Sequence, residues 1–316
     1  MKVFITRDIP KIGFDILRNA NLKFHWNKLD KTISRKALIN NVKECDGLIC
    51  LLTDKIDKQV IDSMQRCRIV SNFAVGYDNI DVEYAKSKGI IVTNTPDVLT
   101  ESTADLTITL ILACSRRIFE ANSLLREGRY KGWKPKFLLG MELKGKKLGI
   151  LGAGRIGTAV ALRAKSFGMK ILYFSHNKNL FLEERTNAKK VSLNFILKNS
   201  DVISVHLPLN SETYHLLNKN RLSLLKKNAI VINTARGEII DEKSLIRLLK
   251  LKKIKAAGLD VFEGEPNINR DLLNLQNVVV MPHIGSATVE ARNGMAEIAA
   301  KNVVRVLTGK SPLTPV

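Results

Sequence analysis

Three residues in the second half of the 316-residue chain could do chemistry together: Arg236, Glu265 and His283. Each falls just past an apolar run that reads as a buried strand, over residues 229–233, 256–261 and 277–281. In a doubly wound sheet, ligands bind outside the carboxyl ends of such strands. A guanidinium can grip a carboxylate with two hydrogen bonds and polarise an adjacent carbonyl. An imidazolium can give a proton to a carbonyl oxygen as hydride arrives. A carboxylate beside the imidazole would orient the ring and favour its charged form. Taken singly, each residue type is more often structural than functional. Placed together at successive strand ends, they describe a device for reducing a 2-oxo acid with a nicotinamide cofactor.

The stretch that would hold such a cofactor is Gly152-Ala153-Gly154-Arg155-Ile156-Gly157. An apolar run, 148–151, precedes it, a helix-like segment from 155 to 167 follows, and Gly168 stops that helix before a second apolar run at 171–174. Strand, glycine turn, helix and parallel strand form the context this motif needs. Gly152 permits the tight turn, Gly154 lets backbone approach a pyrophosphate, and Gly157 lets the helix pack against the strand. The helix start then offers N–H groups and a positive dipole end to the phosphates. An acidic residue that binds a ribose 2′-hydroxyl is expected about 20 residues on. Ser175, His176, Asn177 and Lys178 stand there instead. A hydroxyl, an amide and a cation suit a 2′-phosphate, so NADP(H) is favoured over NAD(H).

The elements that must position these residues form two groups. Runs at 2–5, 46–52, 69–73 and 89–92 read as strands, and 12–20 and 57–64 as helices. Alternating βα units imply a parallel sheet with helices on both faces. A boundary falls at Thr95-Pro96-Asp97. After it, Ser102 with Asp105 three residues on makes a capping-box-like start to one long helix running to about Glu127. The expectation is therefore an α/β protein: a Rossmann-type doubly wound sheet over 98–284, and a smaller flavodoxin-like domain over 1–97 completed by 285–316. The closing helix pattern covers 291–307.

Composition narrows the class. A hydrophobic content of 45% is ample for two cores. No apolar stretch is long enough for a bilayer, and residues 1–11 lack a signal-peptide core, so a cytoplasmic protein with no membrane partner is expected. Cys45, Cys50, Cys67 and Cys114 lack metal-type spacing and sit beside apolar residues, which reads as core thiols in a reducing compartment with no metal site. The net charge of +21 raises the question of nucleic acid. Its lysines are spread along the chain without interleaved aromatics, so a solvated surface and no nucleic-acid partner are expected. Such a field would steer small anions.

Six segments carry a resemblance: Asn72-Phe-Ala-Val-Gly-Tyr-Asp-Asn-Ile-Asp81, Thr93-Asn-Thr-Pro-Asp97, Leu151-Gly-Ala-Gly-Arg-Ile-Gly157, Asn233-Thr-Ala-Arg-Gly237, Gly258-Leu-Asp-Val-Phe-Glu263 and Pro282-His-Ile-Gly-Ser-Ala-Thr288. Together they resemble the D-isomer-specific 2-hydroxyacid dehydrogenases over essentially the whole chain. Asp97-Val-Leu-Thr100 and Trp133-Lys-Pro-Lys-Phe-Leu-Leu-Gly140 look most like the glyoxylate/hydroxypyruvate reductases within that family. The resemblance implies Arg236 as substrate-binding arginine, Glu265 as carboxylate partner and His283 as proton donor. It implies that backbone at Val75 and Gly76 holds the substrate carboxylate and that residues from Ala153 to Ile156 meet the pyrophosphate. Thr103, Thr234, Ala235, Asp260 and Gly285 would line the cofactor. The long helix and connector before the glycine motif resemble a dimerisation arm, so a homodimer is implied. Trp133 matches a residue that reaches the partner subunit's substrate pocket, although a simple hydrophobic anchor explains it equally well. Other members of the family, acting on D-3-phosphoglycerate or D-lactate, and a nucleotide-sensing corepressor-like protein are the alternatives.

Overall fold

The computed structural model describes residues 1–29 and 31–316. Two compact units emerge, Met1–Leu99 with Ala287–Val316, and Thr100–Ser286.

In the first unit, β1 (Lys2–Ile5), β2 (Lys23–Trp26), β3 (Gly47–Cys50), β4 (Ile69–Asn72) and β5 (Ile91–Thr93) build one sheet. Its order is β2-β1-β3-β4-β5 with every pairing parallel, the flavodoxin-like arrangement. β3 and β4 are buried along their whole length, which is why they read as unbroken apolar runs. The edge strand β2 alternates exposed and half-buried residues. Helix Val289–Leu307 packs on this sheet, where Ser71 Oγ donates to Ala299 O at 3.1 Å. Cys45, Cys50 and Cys67 are buried free thiols in this unit.

The second unit holds β6 (Lys147–Leu151), β7 (Lys170–Phe174), β8 (Lys189–Lys190), β9 (Val202–Val205), β10 (Ile230–Asn233), β11 (Ala256–Leu259) and β12 (Val278–Val280). They form one parallel sheet in the order β12-β11-β10-β9-β6-β7-β8. The chain runs outward from β6 to β8 and then returns to the other side of β6 with β9. That reversal creates a topological switch point between β6 and β9, where nucleotides bind in open α/β sheets.

Helix Thr100–Arg116 lies against β10, β11 and helix Arg155–Ser166. The buried residues of helix Arg155–Ser166 are mostly small, Gly157, Ala159, Ala161 and Ala164 among them. Arg163 ties the pair together, with Nε donating to Asp105 Oδ1 at 2.7 Å and a second bond to Glu101. Two expectations for this helix need correction. It starts at Thr100, so Ser102 lies inside the first turn and does not cap it. It is also not continuous to Glu127. Arg117 adopts φ +55°, a left-handed conformation that ends the first helix, and a second helix occupies Ile118–Arg126. An Arg117–Glu120 ion pair fixes the bend. Among the described residues no helix is long and apolar enough to cross a membrane.

Candidate active site

The glycine turn sits at the carboxyl end of β6, beside the end of β9. Gly152 has φ +96°, and a Cβ on it would lie 2.6 Å from the His206 carbonyl oxygen. A Cβ on Gly157 would lie 2.1 Å from Gly152 O. Both glycines are therefore required by close backbone packing. Gly154 differs: a Cβ there would meet nothing within 4 Å, so its face of the turn is open. Gly154 is also the N-cap of helix Arg155–Ser166, and that cap has no side-chain hydrogen bond. An open backbone face at an uncapped helix start fits a dinucleotide pyrophosphate, whose oxygens accept from the first N–H groups.

After β7, where the ribose was expected, Ser175 is half-buried and His176, Asn177 and Lys178 are exposed. His176 Nδ1 and Asn177 Oδ1 are 3.1 Å apart. Lys178 Nζ lies 3.2 Å from Glu183 Oε2. Asn179 fastens this loop to the glycine turn, with Nδ2 donating to Ala153 O and Thr158 Oγ1, both at 2.9 Å. Lys190, on β8, donates Nζ to His176 O at 2.7 Å. Sequence reading missed Asn179 and Lys190. Asn179 carried a signal, since Asn three residues before Leu182 is an N-cap pattern. Lys190 carried none, because it is the β7–β8 pairing that brings it to the loop.

Arg236, Glu265 and His283 come together beyond β10, β11 and β12. Glu265 is the hub. Its Oε1 accepts from Phe262 N at 2.9 Å, and its Oε2 accepts from His283 Nδ1 at 2.9 Å. Burial pushes the Glu265 carboxyl up. The His283 hydrogen bond and charge, the Phe262 N–H and the Arg236 guanidinium outweigh that and hold it below its ordinary value. With Nδ1 committed to Glu265, Nε2 is the His283 ring nitrogen that could take part in proton transfer. Arg236 donates Nη1 to Ala235 O at 2.7 Å, and Asn233 Nδ2 donates to Arg236 O at 2.8 Å, which sets the loop after β10.

Other expected residues take visible places. Asp260 is 1% exposed, and its two oxygens accept from Ile284 N and Gly285 N, both at 2.8 Å. Its carboxylate thus shapes the turn carrying His283, while burial pushes its pKa up. Thr103 Oγ1 donates to Gly285 O at 3.2 Å, and Thr107 Oγ1 and Thr234 Oγ1 are 2.9 Å apart. In the first unit, the Val75 and Gly76 carbonyls accept from Asn94 Nδ2 and Asn72 Nδ2, each at 2.8 Å. Trp133 is 79% exposed in the irregular stretch after helix Ile118–Arg126. A second histidine–carboxylate pair, His215 Nε2 and Glu263 Oε1 at 3.1 Å, was not anticipated. Among the described residues no cluster suited to a metal ion occurs.

This architecture is that of an NAD(P)-dependent dehydrogenase, and residues 108–285 match the family model for the NAD-binding domain of D-isomer-specific 2-hydroxyacid dehydrogenases. The chain belongs to that family. It is 50% identical over 315 residues to a glyoxylate reductase of Thermococcus litoralis, covering 98% of this chain and 95% of the relative. A glyoxylate reductase structure from Paecilomyes thermophila is similar with TM-score 0.90 and 32% identity, covering 100% of this chain and 98% of that one. An NADPH-dependent glyoxylate/hydroxypyruvate reductase from Sinorhizobium meliloti, solved with NADP and malonate, has TM-score 0.87 and 32% identity, covering 100% and 96%.

Proposed function

We propose that this protein reduces glyoxylate and hydroxypyruvate to the corresponding 2-hydroxy acids, with NADP(H) favoured over NAD(H). The observation that carries the reading is the 2.9 Å bond between His283 Nδ1 and Glu265 Oε2, with the Arg236 charge beside it. The sheet bearing that pair also bears the open glycine turn at Gly154. When bound, the reduced nicotinamide supplies a hydride. Arg236 grips the substrate carboxylate and polarises the carbonyl, and His283 Nε2 delivers the proton to the carbonyl oxygen. Glu265 holds the ring in position and balances its charge. Residues from Gly152 to Gly157 hold the pyrophosphate, with Ala153, Arg155 and Ile156 contributing backbone and side chain. Ser175 to Lys178 face the 2′ position of the adenosine ribose. Thr103, Thr234, Ala235, Asp260 and Gly285 border the nicotinamide.

The protein in this reading acts as a homodimer in the cytoplasm, without nucleic acid. Exposed Ile118, Phe119, Leu125, Tyr130, Trp133 and Leu139 support a self-association surface on the arm, and Trp133 reaches the partner's pocket. The test is oxidation of NADPH and NADH, in parallel, with glyoxylate, hydroxypyruvate, pyruvate and phosphohydroxypyruvate. Fast NADPH oxidation with the first two is expected. Turnover confined to pyruvate or phosphohydroxypyruvate would refute the substrate assignment, and faster turnover with NADH than with NADPH would refute the coenzyme assignment.

A further inference from the structure

Lys178 belongs to the loop assigned to the ribose, and the structure gives its charge a competitor. Its Nζ lies 3.2 Å from Glu183 Oε2. The other oxygen, Oε1, accepts from Tyr173 OH at 2.7 Å. That phenol oxygen accepts in turn from Asn179 N at 3.0 Å. Asn179 caps helix Leu180–Thr186, with Oδ1 accepting from Leu182 N at 2.9 Å, and its Nδ2 donates into the glycine turn. A continuous chain of contacts therefore runs from Ala153 through Asn179, Tyr173 and Glu183 to Lys178. Tyr173 is fully buried, so it anchors the carboxylate from behind. The Glu183 side chain is 21% exposed and that of Lys178 61% exposed. The hydrogen bond from Tyr173 and the nearby Lys178 hold the Glu183 carboxyl below its ordinary value, so it is ionised at neutral pH.

We propose that Glu183 is a coenzyme-specificity residue: by holding the Lys178 ammonium it competes with a ribose 2′-phosphate and narrows the preference for NADP(H). The inference rests on the reading of Ser175 to Lys178 as the 2′ side of the nucleotide site. An ammonium is a compact point charge, and a fixed carboxylate and an incoming phosphate compete for it. A neutral 2′-hydroxyl enters no such contest. Lys190 does not substitute freely, because its Nζ is engaged by the His176 carbonyl.

The test is calorimetric binding of adenosine 2′,5′-bisphosphate and of 5′-AMP to the full-length protein. Wild type is compared with Glu183→Gln, Lys178→Met and the double variant, with matched melting curves. Gln keeps an acceptor for Tyr173. Glu183→Gln is expected to raise affinity for the bisphosphate relative to 5′-AMP by about fivefold, the ceiling for an exposed ion pair. In the Lys178→Met background that gain should disappear, because the two residues act on each other. An unchanged ratio in Glu183→Gln, or a gain that survives Lys178→Met, overturns the proposal and leaves the nucleotide site standing. Wild-type protein that binds neither fragment overturns the site reading itself.

Discussion

Gly237 follows Arg236 directly and opens the 3-10 turn Gly237–Ile239. A Cβ on it would lie 2.0 Å from Phe262 C, 2.2 Å from Phe262 O and 2.4 Å from Glu263 N. All three are backbone atoms of the segment leading to Glu265, so no rotamer change relieves the clash. Ordinary contact begins at 3.4 Å, so Gly237→Ala must part the two loops by more than an ångström. Overpacking of this kind costs about 1–3 kcal/mol of stability. The larger effect falls on chemistry, since Arg236 moves relative to Glu265 and His283. A misplacement of about 1 Å can cost on the order of 100-fold in rate. The assay is kcat/KM for glyoxylate, alongside NADPH affinity by fluorescence and the melting temperature. The expected result is a folded protein that binds NADPH and has lost about two orders of magnitude in kcat/KM. Gly154→Ala is the counterpart: with nothing within 4 Å it should melt like wild type yet bind NADPH at least about tenfold more weakly. A Gly237→Ala protein with kcat/KM within about threefold of wild type would refute the claim that this contact sets the spacing of the site.

Two other perturbations probe the site. Glu265 uses two acceptor oxygens, for Phe262 N–H and His283 Nδ1–H, whereas Gln offers one. Glu265→Gln should lower kcat about 10- to 100-fold with a smaller change in KM, and an unaltered kcat in steady-state kinetics would contradict the assignment. Burial pushes His206 down to about 3 from its ordinary 6.5. Because the unfolded chain takes up that proton first, stability should fall as pH drops below 6.5, by at most about 1.4 kcal/mol per pH unit, until about 3. Denaturant unfolding of His206→Gln between pH 6.5 and 4 should show a shallower loss than wild type, and identical slopes would count against this source.

The parts of the fold that could be read from the chain are those whose physics is local or strongly apolar. Residues 148–151 and 202–205 are buried on both faces, so they read as unbroken hydrophobic runs. Glycine and proline mark their ends, and Arg236, Glu265 and His283 lie just beyond such ends. Two of the edge strands, β2 and β8, were illegible for the opposite reason. Lys23–Trp26 alternates with only half-buried inner residues, and Lys189–Lys190 is two exposed lysines whose strand character comes wholly from pairing with β7. The break at Arg117 has no Gly or Pro to announce it. Lys178 as a cation was plain in the sequence, but its engagement by Glu183 depends on how helix Leu180–Thr186 presents that carboxylate. Asp260 illustrates the same gap. Its placement after β11 could be read, yet its grip on Ile284 and Gly285 joins residues more than twenty positions apart.

The glycines separate what the fold demands from what a ligand demands. Gly152 and Gly157 are each held to hydrogen at Cα by a backbone oxygen of the same chain, at 2.6 and 2.1 Å from the Cβ they lack. Those two would be glycine in a protein that bound nothing. Gly154 has φ −77° and open space around the Cβ it lacks, so an alanine would fit. Its small size answers to something outside the chain, and backbone contact with a pyrophosphate supplies that reason. By the same contrast, the two halves of the site are expected to tolerate little independent change. Gly152 packs on His206 at the end of β9, and Gly237 packs on Phe262 after β11. One contact fixes the turn proposed to meet the phosphates, and the other joins the loops that carry Arg236 and Glu265. Both rest on bare backbone, which has no rotamer with which to yield.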